Sequence, residues 1–381
     1  MSDLLIDWII AAVKAIIVFA FLMTMVPNLI WLERKVVALF QQRIGPNRVG
    51  PFGLLQPLAD AAKLIIKENL FPTGVDRIPY FIAPLAAIIP ALAAFAVIPF
   101  GEPFYLFGRQ VNMQVADVNI GVLYILALSS LAVYAFTLAG WSSNNKYSLL
   151  GGLRASAQMI SYELPVGLII VTIVVYTGTL SLKEMVDFQA KTGMWIIFPQ
   201  LVAFLMFVVS SMAELNRAPF DMPEAESELV AGYHTEYSGF RFAMFFMGEY
   251  VNMVTISALA TVMFLGGWHA PFGLPEIPVF WFLVKIFGFI IFYMWLRATL
   301  PRIRYDKLMS FGWKIMIPAA MVNIVVTAVV VTLARQNAGW ILTLFNVLFL
   351  SVIYAWARMA NERKLRASMR TVELGEAGAN G

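Results

Sequence analysis

The sequence contains no cysteine and only two histidines among its 381 residues. Without cysteine the chain can form no disulfide, ligate no iron–sulfur cluster through thiolates and carry out no thiol catalysis. The histidines, His234 and His269, fall in predicted loops on opposite sides of a membrane, and neither has metal-ligand spacing. The sequence therefore predicts no metal or haem site. Glycine-rich phosphate-binding motifs of the P-loop or dinucleotide type are also absent.

Charged residues make up only 13% of the chain, whereas hydrophobic residues make up 60%. A soluble domain has about 25% charged and about 45–50% apolar residues, so this chain needs lipid as its solvent. Nine apolar runs are long enough for a spanning helix of about 20 residues, and none alternates like a barrel strand. We therefore predict an all-α, polytopic transmembrane helix bundle. The predicted spans are 8–32, 79–100, 119–141, 156–178, 194–214, 241–268, 278–299, 313–334 and 340–358.

Most of the 27 lysines and arginines fall in loops on one side of these spans. Because cytoplasmic loops are enriched in positive charge, we predict that this side is cytoplasmic, with the N-terminus outside and the C-terminus inside. These loops explain the net charge of +4, and no nucleic-acid partner is expected. We interpret the first apolar run as a retained span, not a signal peptide. Residues 1–360 are then one membrane domain, and 361–381 a flexible cytoplasmic tail.

The first predicted cytoplasmic loop, residues 33–78, contains a second kind of helix at 54–68. Its apolar residues fall on one side, whereas Asp60, Lys63 and Lys67 fall on another. This pattern favours an amphipathic helix that lies in the membrane interface. The alternative is a short cytoplasmic helix that packs on another subunit.

Four ionisable residues lie within predicted spans or at their ends: Glu163, Glu214, Glu249 and Lys285. Charges in such positions are costly and usually mark function, and a carboxyl group withdrawn from water can accept and release protons. The alternative for each residue is structural pairing with an arginine or lysine at a helix end. For the set as a whole we favour function.

Acidic residues are concentrated where the fifth predicted span ends, beginning with Glu214. Asp221 and Glu224 have the spacing of a capping box, which accounts for them structurally. Glu226 and Glu228 have no such explanation, and Glu228 would share a helix face with Glu224, where like charges repel. A buried acidic cluster leading to Glu214 would form a proton route, whereas a solvated acidic face would be inert.

Two basic clusters lie in the predicted cytoplasmic loops. One surrounds Glu33 and Arg34 and continues to Arg43, and the other contains Arg297 and Arg302. Positive clusters at the cytoplasmic surface usually anchor a protein to anionic lipid. Arginine-rich irregular loops can also dock partner proteins or polarise a carbonyl group, and the residues alone leave these interpretations open.

Four cytoplasmic segments, 33–60, 153–163, 216–239 and 297–306, together resemble one family. The first contains Glu-Arg-Lys followed by Gln-Arg-Ile-Gly-Pro-Asn-Arg, and the last reads Arg-Ala-Thr-Leu-Pro-Arg-Ile-Arg-Tyr-Asp. In content and order these segments are similar to the loops of the H subunits of bacterial NADH:quinone oxidoreductase, respiratory complex I. The resemblance covers about residues 30–310.

The resemblance implies a membrane subunit at the junction of the peripheral and membrane arms, which walls the quinone chamber and carries no redox centre itself. It places one set of residues around the quinone cavity: Glu33, Arg34, Asp60, Arg217, Asp221, Arg297 and Arg302. It places a second set in an acidic channel that couples quinone reduction to proton translocation: Glu163, Glu214, Glu224, Glu226, Glu228, Glu249 and, continuing the line, Lys285.

The resemblance also implies a substrate and partners. The substrate would be ubiquinone or menaquinone, no cofactor would be covalently bound, and electrons would come from an iron–sulfur cluster on a partner subunit. Peripheral-arm subunits of the quinone site, small membrane subunits and lipid would surround the chain in the bacterial inner membrane. Two other functions stay open. One is the equivalent subunit of a hydrogenase-type or other non-NADH complex. The other is a free-standing ion transporter, although no internal repeat is visible.

Overall fold

The computed structural model describes residues 3–106, 109–223, 226–271, 273–352, 354–355 and 358–359, and over them it is almost entirely helical. The predicted tail, 361–381, lies outside these residues. In chain order the helices are α1 (Asp3–Phe40), α2 (Gln56–Ile66), α3 (Arg77–Ala94), α4 (Gly121–Ser142), α5 (Lys146–Thr177), α6 (Leu182–Thr192), α7 (Leu201–Glu214), α8 (Glu226–Leu229), α9 (Gly239–Phe264), α10 (Pro278–Thr299), α11 (Tyr305–Phe311), α12 (Ile317–Leu333) and α13 (Ala338–Val352).

The polytopic helical bundle predicted from the apolar runs is confirmed. In the described part of the chain, seven helices are long and apolar enough to span a membrane. They are α1, α3, α4, α5, α9, α10 and the pair α11–α12, which a π-helical turn at Gly312–Met316 joins. Two shorter apolar helices, α7 and α13, occupy the fifth and ninth predicted spans.

The fifth predicted span, 194–214, is wrong in its first part. Residues 196–200 form turns, and α7 begins only at Leu201, after Pro199, whose missing backbone N–H disfavours a helix that continues through this position. At 1.5 Å per residue α7 is about 21 Å long, less than the roughly 30 Å of a bilayer core. Its last residue, Glu214, is only 7% exposed, so the helix ends inside the bundle.

Three predicted loop boundaries are also wrong, because polar residues continue the helices past the apolar runs. Glu33 and Arg34 lie within α1, not in a loop. α5 begins well before residue 156, directly after Asn145, whose side chain accepts a hydrogen bond from the Tyr147 N–H at 2.9 Å. The eighth span likewise begins before its predicted start at residue 313, because α11 forms its first part. The helices therefore carry into the bundle several charges that we had predicted in loops.

Small residues let the central helices approach closely. α3 packs against α4 and α9, and α5 packs against α4, α7 and α12. Where α4 meets α5, a Cβ on Gly152 would lie only 2.8 Å from the Phe136 carbonyl oxygen and 3.1 Å from the Gly140 Cα. Because lipid tails are as apolar as leucine, spanning helices associate through such close packing and through buried polar contacts.

The amphipathic helix predicted at 54–68 is present as α2, which packs against α1 and α9. Its residues Leu58, Ile65 and Ile66 are 56%, 64% and 83% exposed. An exposed apolar face at the edge of the bundle suits contact with lipid or with another subunit. Both interpretations of this helix therefore stay predictions.

The two ends of the bundle are distinguished by short elements. A hairpin of β1 (Phe104–Leu106) and β2 (Arg109–Val111) lies at the end where α1 begins, because the Lys14 ammonium donates a hydrogen bond to the Gln114 carbonyl at 2.8 Å. At the opposite end lie α2 and the ends of α1 and α10. Three 3-10 turns complete the described chain: Pro51–Gly53, Phe95–Val97 and Gly232–His234.

Candidate functional site

A cavity of about 860 Å³ opens between α1, α2 and α9, at the end of the bundle where α10 finishes. Cavities that bind organic ligands have volumes of about 300–1,000 Å³ and are mostly apolar with a few placed polar groups. The wall of this cavity has that composition. Among its apolar residues are Met23, Val26, Ile30, Leu64, Phe246 and Met247.

Glu33 is the buried charge of this cavity, with only 4% of its surface exposed. One carboxylate oxygen accepts a hydrogen bond from the Arg217 guanidinium at 2.5 Å and from the Tyr250 hydroxyl at 2.8 Å. The other oxygen accepts one from Arg297. The Arg217 guanidinium also lies over the Tyr250 ring, 4.2 Å from its centroid. Two cations thus share one carboxylate, which leaves the cluster with a net positive charge.

A second ion pair lies on the outer wall of the same cavity. Arg34 donates to Asp60 at 2.6 Å, and Gln56 donates to the other carboxylate oxygen at 3.2 Å. The two charged side chains are 48% and 27% exposed, so water screens this pair more than the Glu33 cluster. The pair joins α1 to α2 and thereby fixes the distance between two walls of the cavity.

Arg217 connects the cavity to a second acidic group deeper in the bundle. Glu249, on α9, interacts electrostatically with Arg217 and with Asp221. The Tyr233 hydroxyl donates a hydrogen bond to Glu249 at 3.0 Å. Glu33 and Glu249 therefore have one cation in common, and a change of charge at either carboxyl is felt by the other.

Two small cavities continue from Glu249 into the bundle. The first, of about 20 Å³, is lined by Glu249, Glu214 and Asn252, and the second, of about 30 Å³, again by Glu214 and Asn252. A cavity needs about 10–15 Å³ to hold one water, and the water needs polar partners. Each of these cavities is large enough for a water and has such partners.

Glu163 ends this series of acidic residues at the centre of α5. Its carboxylate accepts a hydrogen bond from the Ser130 hydroxyl, and its charge acts on Glu214. The structure thus brings together Glu33, Arg217, Glu249, Glu214 and Glu163 in one connected series of charged groups. This series begins at the large cavity and ends in the middle of the bundle.

Several predicted site residues lie elsewhere. Glu228 is 54% exposed on the surface and forms an ion pair with Arg154 at 2.6 Å. The adjacent guanidinium lowers the pKa of the Glu228 carboxyl below its ordinary value. Arg302 is exposed and donates to the Asp221 backbone carbonyl at 2.5 Å, outside the cavity wall. Glu224 lies outside the described residues, as does the side chain of Glu226.

Lys285 lies near the start of α10, at the end of the bundle opposite to the cavity. Its ammonium donates hydrogen bonds to the carbonyls of Leu265, Gly267 and His269, at 2.6, 2.9 and 2.7 Å. It also lies 4.9 Å from the Trp195 ring centroid. These contacts stabilise the turn that follows α9. Without them, the backbone carbonyls at the end of the helix and in the turn would lack hydrogen-bond donors. Lys285 is not in contact with the acidic series.

Sequence reasoning missed the uncharged members of the site. Tyr250, Tyr233, Asn252 and Ser130 contact the buried carboxylates or line the cavities between them. A search limited to charges in apolar runs does not find them. One signal was available, because Asn252 follows Glu249 by three positions and so shares its helix face.

Comparisons with known proteins agree with one another. The family model described as NADH dehydrogenase matches residues 13–328. The chain is 52% identical over 344 residues to an H subunit of NADH-quinone oxidoreductase from Geobacter metallireducens, covering 90% of this chain and 100% of that protein. It is 54% identical over 298 residues to the corresponding H subunit from Protochlamydia amoebophila, covering 78% and 90%. It is 50% identical over 342 residues to an H subunit from Geobacter sulfurreducens, covering 90% and 99%.

Proposed function

The chain belongs to the NADH dehydrogenase family, as a membrane subunit of NADH:quinone oxidoreductase, and we propose that its large cavity admits the quinone while its buried carboxyls couple quinone reduction to proton movement. One observation carries this proposal: the Glu33 cluster in the cavity wall and the Glu249–Glu214–Glu163 series have Arg217 in common. A ligand in the cavity is thereby electrostatically connected to groups that can hold protons.

The cavity suits a quinone in shape and polarity. Its volume of about 860 Å³ accommodates a ring with part of an isoprenoid tail, and its wall is mostly apolar. The tail would lie against residues such as Ile30 and Met247, while the guanidinium of Arg297 has further N–H donors, beyond the one that Glu33 accepts, for a ring carbonyl. The same features suit ubiquinone and menaquinone, both of which are apolar molecules with two carbonyl groups.

The charge of the Glu33 cluster favours the reduced state of the ligand. A quinone that receives two electrons becomes anionic until it is protonated, and Arg217 with Arg297 stabilises that anion. The negative charge that develops in the cavity also opposes negative charge on Glu249 and favours protonation of that carboxyl. At about 10 Å and an effective dielectric constant of about 20, one charge changes another's energy by about 1.7 kcal/mol, more than one pKa unit. Proton uptake by the carboxyl series follows.

The remaining parts of the reaction belong to partner subunits. Because the sequence has no dinucleotide-binding motif and no cysteine, we propose that NADH and the iron–sulfur cluster that reduces the quinone are bound by peripheral-arm subunits. The adjacent small membrane subunits would continue the proton path beyond Glu163. We place the chain in the bacterial inner membrane, with the basic loops and the C-terminus cytoplasmic, and α2 at the lipid or subunit interface.

The two other functions kept open by the sequence are not favoured. The family model is that of NADH dehydrogenase, and three relatives at 50–54% identity are NADH-quinone oxidoreductase H subunits, not hydrogenase subunits. A free-standing transporter would have inverted repeats with a site at the middle of the membrane. The large cavity here lies at one end of the bundle instead, beside the amphipathic helix.

Narrowing the cavity tests whether it admits the quinone. Ala243 lies on α9 in the cavity wall, so Ala243→Trp places an indole in the ligand's volume. We expect the assembled complex to show a KM for quinone raised on the order of tenfold, with unchanged NADH oxidation by a water-soluble electron acceptor. Ala243→Ser is the matched control and should resemble the wild type. An unchanged KM in an assembled Ala243→Trp complex would contradict the proposal.

A further inference from the structure

We propose that Glu102, His269 and Glu276 form a binding site for a divalent transition metal, best suited to zinc, at the end of the bundle opposite to the cavity. Each residue offers one ligand atom, and the three atoms lie within 4.8 Å of one another. Along α10, Arg297 of the Glu33 cluster lies about 29 Å from Pro278, which is next to the metal cluster, at 1.5 Å per residue. The site is therefore distinct from the quinone cavity and the acidic series.

The distance between His269 and Glu276 fits a shared metal better than a direct hydrogen bond. The His269 Nδ1 and the Glu276 carboxylate oxygen are 3.5 Å apart. Hydrogen bonds between charged partners are about 2.7–2.9 Å long. Two ligands of a tetrahedral zinc, each about 2.0–2.1 Å from the metal, are about 3.4 Å apart. The observed separation is close to that tetrahedral edge.

The mixture of one imidazole and two carboxylates selects the kind of metal. Calcium and magnesium prefer oxygen ligands and six or more of them. Zinc and its neighbours in the first transition row accept imidazole nitrogen together with carboxylate oxygen. Three protein ligands leave a fourth tetrahedral position, which water would occupy. The two carboxylates also neutralise the charge of a divalent ion.

The histidine is held by a rigid turn. Its own backbone carbonyl accepts the hydrogen bond from the Lys285 ammonium at 2.7 Å, and its N–H donates to the Gly266 carbonyl at 3.2 Å. The Gly266 N–H in turn donates to the Gln189 side chain at 3.0 Å. These bonds fix the histidine backbone before any metal arrives, which lowers the entropic cost of binding.

Core packing also brings the two glutamate segments together. Gly101, which precedes Glu102, is buried, and a Cβ added to it would lie 3.5 Å from the Val279 side chain at the start of α10. Glu276 lies just before that helix. The His269–Glu276 separation already fits a shared metal, so Glu102 is the ligand that must move closer, and its exposed side chain is able to do so.

Binding would connect two loops on the side that we predict to be external. One loop leads into the β1–β2 hairpin, and the other joins α9 to α10. The sequence predicted no metal site, because Glu102 is distant in the sequence from the other two ligands, and the spacing of His269 and Glu276 within their loop matches no metal-ligand motif. The metal site is independent of the proposed function, because its ligands contact no member of the acidic series.

The test measures zinc binding to the purified, assembled complex of the wild type and of two variants, Glu276→Gln and His269→Gln. Glu184→Gln is the matched control, because it removes another exposed carboxylate, that of α6, outside the cluster. Samples are equilibrated with zinc at buffered free concentrations, and bound zinc per complex is counted. NADH:quinone activity without added zinc shows that each complex is assembled.

We expect both cluster variants to lose one zinc per complex or to bind it at least about tenfold more weakly, since even outer-shell changes cost 10–100-fold in metal affinity. The Glu184→Gln control should bind as the wild type does. Because the Glu276 side chain is largely exposed, Glu276→Gln gives a result even if His269→Gln fails to assemble. Wild-type binding by Glu276→Gln, or an equal loss in Glu184→Gln, would overturn the proposal.

Discussion

Glu33 and Arg217 lie 184 positions apart in the sequence and form a buried ion pair 2.5 Å long, with 6% and 9% of their side chains exposed. The pair joins the end of α1 to the segment that follows α7. It is also the place where the large cavity meets the acidic series. A substitution at either residue therefore acts on both the cavity and the series.

Replacing Glu33 should be costly, because it leaves two guanidinium groups without the carboxylate that they share. We expect Glu33→Gln to destabilise the protein by about 3–5 kcal/mol, the cost of breaking a buried pair by removing one partner. Thermal denaturation of the detergent-solubilised complex measures the effect. Asp60→Asn breaks the exposed pair with Arg34 and should cost at most about 1 kcal/mol. Equal costs for the two variants would contradict the structure.

Asn252 should be required for proton transfer between the two small cavities, because it lines both of them together with Glu214. Asn252→Leu keeps the size of the side chain but removes the polar partner that a water needs. We expect quinone-dependent NADH oxidation to be roughly tenfold slower. Impaired proton transfer typically lowers the rate of a reaction by at least that factor. Asn252→Ser retains a hydroxyl and should lose less. Wild-type turnover in the leucine variant would remove Asn252 from the path.

Glu228 offers a contrast with the buried carboxyls. The resemblance placed it in the acidic channel, whereas its side chain is 54% exposed beside Arg154. We expect Glu228→Gln to leave turnover and proton pumping near wild-type values, because only a surface ion pair worth about 0–1 kcal/mol is lost. Proton-pumping assays in vesicles decide the point. A loss as large as that caused by a buried glutamate would restore Glu228 to the path.

His234 should make the stability of the protein depend on pH. Burial lowers the pKa of its imidazole from 6.5 to about 4. Between these values the unfolded chain binds a proton that the folded protein excludes, so stability falls as the pH falls from about 6.5 to about 4. The loss of stability approaches about 3.5 kcal/mol, since the shift is about 2.5 pKa units and each unit corresponds to about 1.4 kcal/mol.

The matched variant for this effect is His234→Phe. The imidazole packs edge-on against Phe242 and Phe246, so a phenyl ring suits the site and removes the titrating group. Melting temperatures of the complex between pH 7 and pH 5 should fall less steeply for this variant than for the wild type. Parallel curves would show that His234 does not titrate with the proposed shift.

The fold was largely predictable from the sequence, because an apolar run that is long enough to cross a bilayer can adopt few structures there. The helix ends were not, since Glu33 and Arg34 are polar yet continue α1 to form the cavity wall. The predicted fifth span was too long, because the apolar residues at 196–200 form turns, which hydropathy does not distinguish from helix.

The site was predictable only in part. Glu163, Glu214 and Glu249 were predicted because each is a charge in or at the end of an apolar run, and the structure places them in the candidate acidic series. The same signal selected Lys285, whose position near the other end of α10 separates it from them. The sequence does not show whether the Glu228 side chain is buried or exposed, since that depends on how the helices pack. The proposed metal site was missed, because Glu102 lies far from His269 and Glu276 in the sequence and the spacing of the latter two is not that of a metal-binding motif.

The most direct test of the account concerns Glu214, which lines both small cavities and interacts with Glu163. Proton translocation and quinone-dependent NADH oxidation should be measured together in sealed vesicles that contain the assembled Glu214→Gln complex, with Glu184→Gln as control. We expect pumping and quinone reduction both to fall on the order of tenfold or more, whereas the control matches the wild type. An assembled Glu214→Gln complex that reduces quinone and pumps protons at wild-type rates would contradict it.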